Sequence, residues 1–71
     1  MKQVFYREMM EIESAIREVG YDPDLQLMAY VQTQDERYIT RNHDARRRIV
    51  ELDWNLLTEY VNQLKTEIWH P

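Results

Sequence analysis

Phe5, Met9, Ile12, Ile16 and Val19 recur at intervals of four, three, four and three residues. That spacing lines one side of an α-helix, and Arg7, Glu8, Glu11, Glu13, Arg17 and Glu18 fall between them on the polar faces. The pattern predicts a first helix over Val4 to Val19. Gly20 ends it, because glycine takes the left-handed conformation of a helix C-terminus without steric cost. Asp22-Pro23 then opens a second helix: Asp accepts free N–H groups, and Pro at the first helical position gives up a donor that had no partner. Leu25, Leu27, Met28, Tyr30 and Val31 make that helix apolar on more than one face. It is therefore expected to be central and the most buried.

The pattern fades at Gln32-Thr33-Gln34 and resumes in short pieces. Asp35 is expected to cap a single turn carrying Tyr38 and Ile39, which anchor it, and Asn42 to cap the next helix. There Ala45, Ile49 and Leu52 point inward, with His43, Asp44, Arg46, Arg47, Arg48 and Glu51 mostly outside. Asp44 with Arg48, and Arg47 with Glu51, are spaced to form ion pairs one turn apart. Asp53 caps a last helix in which Trp54, Leu57, Val61, Leu64 and Ile68 form the stripe, widened by Leu56 and Tyr60. No strand-like alternation of useful length occurs. The expected fold is all-α: one domain over residues 1–71, a bundle of about five short helices.

Composition adds one constraint on stability. Seventy-one residues without a single Cys cannot be stapled by disulfides, and His43 and His70 alone make a poor zinc site. A core of this size supplies roughly 3–5 kcal/mol, and eight aromatic side chains are more than so small a monomer can cover. Self-association into a homodimer is the expected remedy, with the second and last helices at an isologous interface. Tyr38 and Trp54 suit core and interface equally, and Trp69 near the end could equally fray. The longest apolar run, Leu27 to Val31, is too short to cross a bilayer, and residues Met1 to Arg7 lack the apolar segment of a signal peptide. A cytoplasmic location without membrane insertion is expected.

Candidate chemistry is sparse. Ser14 is the one serine and has no neighbouring base, so it reads as a helix-surface residue. One glycine cannot build a phosphate loop, and His43-Asp44 are adjacent positions that do not face each other on a helix. No enzyme activity, cofactor or metal is expected. The charge distribution is more informative. Arg37, Arg41, Arg46, Arg47 and Arg48 crowd between Glu36 and Arg48 in a chain of formal net charge −4. Such a basic patch suits an anionic partner. It suits even better internal pairing with Asp44, Glu51 and the acidic face of the first helix. Tyr38, Arg41, Arg46, Arg47, Arg48 and Trp54 form the candidate interaction surface for a protein partner. The alternative is a nucleic-acid-binding regulator using the Arg41 to Arg48 face, for which the overall charge is wrong.

From Ala15 to Leu64 the chain resembles the IreB family of small regulatory phosphoproteins of Gram-positive bacteria. The residues that carry the resemblance are Gly20-Tyr21-x-Pro23, Gln26, Tyr30, Asp35-x-x-Tyr38-Ile39-Thr40, Asp44-Ala45-Arg46, Ile49 and Leu52. The resemblance implies a helical dimer without enzymatic activity. It implies a role downstream of a membrane Ser/Thr kinase with PASTA repeats, in cell-envelope stress and cephalosporin response. Gly20, Tyr21 and Pro23 would form the structural turn between the first two helices. Gln34 and Glu36 stand where the family tends to have Gly and Pro, so the middle loop is expected to be more helical. The family carries a longer N-terminal tail with the phosphorylated threonines, and no Thr precedes Thr33 here. Thr33 and Thr40 remain as weak phosphoacceptor candidates, and inefficient phosphorylation is expected.

Overall fold

The computed structural model describes residues 2–68, which form four α-helices and two single 3-10 turns. The helices are α1 (Lys2–Glu18), α2 (Pro23–Thr33), α3 (Ala45–Val50) and α4 (Trp54–Ile68), with the turns at Glu36–Tyr38 and Asn42–Asp44 between α2 and α3. The architecture is all-α, as expected, with the two turns in place of a fifth helix. The expectations at Trp69 and His70 lie outside the described residues.

Local signals set the helix ends. Gly20 is left-handed (φ 86°), and behind it Gly20 N–H donates to Arg17 O at 2.9 Å and Tyr21 N–H to Ile16 O at 3.3 Å. These two bonds are those of a Schellman terminus. Asp22 accepts from Asp24 N–H at 2.9 Å, with Pro23 at the first helical position. Asp53 accepts from Leu56 N–H at 3.1 Å and so caps α4.

The core joins Phe5, Met9, Ile12, Ala15 and Ile16 of α1 to Leu27 and Tyr30 of α2, Ile39, Ala45 and Ile49 of the middle, and Leu57 and Val61 of α4. α1 lies against α3 and α2 against α4. The most buried helix is α1 rather than α2. On α2 only Pro23, Leu27 and Tyr30 are buried, and Leu25 is 61% exposed. α2 meets α4, the first 3-10 turn and α1, which leaves the side bearing Leu25 uncovered. Val19, past the end of α1, is also exposed.

One acidic side chain went inward against expectation. Glu13 is buried and accepts a 2.8 Å hydrogen bond from the Tyr60 hydroxyl. Tyr60 in turn meets Phe5 edge-on and touches Tyr6. Burial, and then the bond to Glu13, push the Tyr60 phenol well above its ordinary pKa of 10.0.

Candidate interaction surface

The segment between α2 and α3 is held by polar side chains that bind backbone. α2 stops at Thr33, and Gln34 adopts a left-handed conformation (φ 56°) with its N–H on Tyr30 O. Gln34 thus does the work of a glycine C-cap, and the middle loop is not an extension of the helix. Asp35 caps the first 3-10 turn through Arg37 N–H at 3.0 Å. Its carboxylate also takes the Arg37 guanidinium through Nε at 3.0 Å and Nη2 at 2.7 Å. The side-chain bonds, then the backbone bond, hold the Asp35 carboxyl down to about 2. Of the two residues expected to anchor this turn only Ile39 does so. It is fully buried, while Tyr38 is 50% exposed.

Beyond Ile39, Thr40 N–H donates to Gln26 Oε1 of α2 at 3.1 Å, and Asn42 Nδ2 donates to Ala15 O of α1 at 2.9 Å. Asn42 therefore ties the loop to the first helix instead of capping the third. His43 and Asp44 are both left-handed, at φ 50° and 59°, a conformation that disfavours side chains with a Cβ. α3 consequently begins at Ala45 with no side-chain cap. His43 Nε2 sits 3.0 Å from Glu18 Oε2 across the gap to α1.

The five arginines have divergent fates. Arg48 is half-buried and donates to Glu8 at 2.8 and 3.2 Å, with Glu11 at 3.3 Å. Those bonds, led by the one to Glu8, raise its pKa. The expected Asp44–Arg48 pair is absent, because the left-handed backbone at Asp44 breaks the helical register between them. Asp44 instead meets Arg47 at 3.3 Å, and Arg47 reaches Glu51 at 3.7 Å as its spacing suggested. Arg37 belongs to Asp35. Among the described residues Arg46 hydrogen-bonds main-chain oxygens, Ile39 O at 2.8 Å and Arg37 O at 3.3 Å, and its charge also acts on the Asp35 carboxylate. Arg41 is exposed and, among the described residues, its side chain has no ion-pair or hydrogen-bond partner.

Arg41, Arg46 and Arg47 converge, with Asp44, on a surface hollow of about 240 Å³. Tyr38 lines a second hollow with Asp35 and Arg37. Trp54 is 38% exposed, with its ring edge-on to Tyr30. The candidate surface is thus divided: Arg48 is spent inside the fold, and three arginines open to one place.

Residues 1–65 match the model of a family described as IreB regulatory phosphoprotein. The chain belongs to the IreB family. No solved structure matches it. In this IreB chain Gly20 and Tyr21 lie between α1 and α2, and Pro23 opens α2, with Pro23 buried and Tyr21 exposed. Thr33 donates to Ala29 O at 2.7 Å. Thr40 is half-buried, and its hydroxyl accepts from Asn42 N–H at 3.2 Å. No helix of the described residues is long and apolar enough to cross a membrane. Gln26, Asn42 and Glu13 were not singled out for these roles from sequence. Polar residues one residue type cannot distinguish from solvated ones gave no periodic signal there.

Proposed function

We propose that this IreB protein is a non-enzymatic cytoplasmic regulator that acts by binding another protein, as a homodimer, downstream of a PASTA-type Ser/Thr kinase in cell-envelope stress signalling. Membership of a family of regulatory phosphoproteins supports the regulatory part. The observation that carries the binding part is the convergence of Arg41, Arg46 and Arg47 on one hollow, where Arg41 and Arg46 have no carboxylate as ion-pair partner among the described residues. Guanidiniums with no carboxylate bonded to them, at a concave surface, favour an anionic partner group. The nucleic-acid reading loses ground because Arg37 and Arg48 are bound by Asp35, Glu8 and Glu11, which leaves no extended row of cations to follow a phosphate backbone. Outward Met10, Leu25 and Tyr6 support the homodimer.

Affinity purification from the native cell tests the binding face. The unmodified chain should retain a protein partner that a chain carrying Arg41→Glu and Arg47→Glu loses, and identical partner sets would remove this face from the reading. Light scattering at micromolar concentration should return twice the chain mass; a clean monomer mass would exclude the homodimer.

A further inference from the structure

We propose that the hollow lined by Arg41, Arg46 and Arg47 is a phosphate-recognition site, which takes a phosphorylated Ser or Thr side chain of the protein partner. The inference rests on the reading that this face binds a partner and names the group it reads. Three guanidiniums line the hollow with the Asp44 carboxylate, and Glu51 reaches Arg47 from beside it, which leaves a net positive charge. A phosphate monoester, with about −1.5 to −2 charges at neutral pH and three acceptor oxygens, offers one oxygen to each guanidinium, whereas a carboxylate has two.

The three arginines are prepared to different degrees. Arg46 is fixed by two carbonyls, at 2.8 and 3.3 Å, so its position is set without a carboxylate bonded to it. Arg47 is steered by Asp44 and Glu51 from either side. Arg41 has no side-chain partner among the described residues and can close over an incoming group. One fixed and two adjustable forks suit a tetrahedral group with several acceptor oxygens. The two threonines of this stretch already hold hydrogen bonds within the fold. Thr40 Oγ1 accepts from Asn42 N–H, and Thr33 Oγ1 donates to Ala29 O. A phosphate from another protein is the better occupant.

The test is a titration of the purified chain at physiological salt, following the guanidinium Nε–H signals of Arg41, Arg46 and Arg47 by NMR. The probes are acetyl-Gly-Gly-phosphothreonine-Gly-Gly-amide, the same peptide with Thr, the same with Asp, and a short duplex DNA. The phosphopeptide should shift the three signals saturably, the Thr peptide should not, and the Asp peptide should bind at least about tenfold more weakly. Arg41→Gln, which removes no contact within the fold, should cost about tenfold in phosphopeptide affinity. Its thermal unfolding should match the parent's. A silent phosphopeptide titration, an equal response to the Asp peptide, or tighter binding of the duplex would each overturn the site. A silent titration beside a partner still lost on Arg41→Glu and Arg47→Glu would remove the phosphate and leave the binding face standing. Phosphopeptide binding beside identical partner sets would do the reverse.

Discussion

The two halves of this molecule are held by different forces. In α1, α2 and α4 apolar stripes meet and exclude water, with Ile12, Ile16, Leu27 and Val61 at zero exposure. From Asp35 to Arg46 only Ile39 and Ala45 are buried. The path of that segment is set by side chains that bind backbone: Asp35 to Arg37, Gln26 to Thr40, Asn42 to Ala15, and Arg46 to Ile39. Burial is non-directional and tolerates small shifts, whereas a hydrogen bond fixes an atom in one place. The arginine hollow draws on the second region, where Arg46 is held by hydrogen bonds and Arg41 is left exposed.

Breaking the apolar half should have the largest effect. Leu27→Ala leaves a cavity at the meeting point of the helices and is expected to cost ~2–5 kcal/mol. For a core worth roughly 3–5 kcal/mol this is close to the whole stability. Far-ultraviolet circular dichroism should show most of the helix signal lost at 25 °C; a cooperative melt near that of the parent would mean that Leu27 is not where the core closes.

The next effect belongs to a polar contact placed inside that half. Tyr60→Phe leaves Glu13 buried without the hydroxyl it accepts from, at a cost of about 1–3 kcal/mol. It should also change the alkaline behaviour. The folded Tyr60 pKa lies above the ordinary 10.0, so above pH 10 the unfolded chain sheds a proton that the native chain keeps. Stability is fully present below that pH and falls as pH rises beyond it. Tyr30 shifts in the same direction, by burial first and Glu36 second, so the variant should keep part of the fall. Urea unfolding at neutral pH and above pH 10 checks both, and an unchanged alkaline slope would count against the buried pair.

How much of this was legible in the sequence divides along the same line. The apolar intervals placed α1 and α4 to within two residues at their starts, and Gly20, Asp22 and Asp53 fell where caps are needed. Those features repeat or have strong local preferences, so one chain suffices to read them. The middle was less legible because its bonds are long-range and each is made once. Asn42 looks like a helix cap, yet its amide serves Ala15 O, 27 residues away. Arg48 looks like a surface partner for Asp44, yet α1 claims it through Glu8. The basic cluster itself was visible, but its division into spent and available arginines required the fold.

The polar half should respond locally. Arg46→Met keeps the bulk of the stem and frees Ile39 O and Arg37 O, which is expected to cost about 1 kcal/mol at this partly exposed site. Amide exchange at Ile39 to Ala45 should accelerate while that of Ile12, Ile16 and Val61 changes little. Arg46→Lys should not restore it, because an ammonium lacks the planar fork that spans two carbonyls. Equal acceleration across all helices would show that the segment and the core open as one unit.

The smallest effect probes the backbone that directs the arginines. His43 and Asp44 are successive left-handed residues at φ 50° and 59°, and this pair of conformations ends the second 3-10 turn and starts α3. Asp44→Gly and Asp44→Ala remove the same carboxylate and the same 3.3 Å contact to Arg47, so their difference isolates the backbone term. Alanine meets the left-handed penalty of roughly 1–2 kcal/mol, whereas glycine does not. Glycine gives back about 0.5–1 kcal/mol through its freedom in the unfolded chain. The Gly variant should therefore be the more stable by about 0.5–1 kcal/mol, a melting point higher by roughly 2–8 °C for a chain of this length. Calorimetry on the two proteins decides it, and an Ala variant as stable as the Gly variant would mean that Asp44 does not hold this conformation. Both variants also remove the one carboxylate from the hollow, so both should bind the phosphothreonine peptide more tightly than the parent. If only the Gly variant does, the gain comes from loosening the backbone and not from the lost charge.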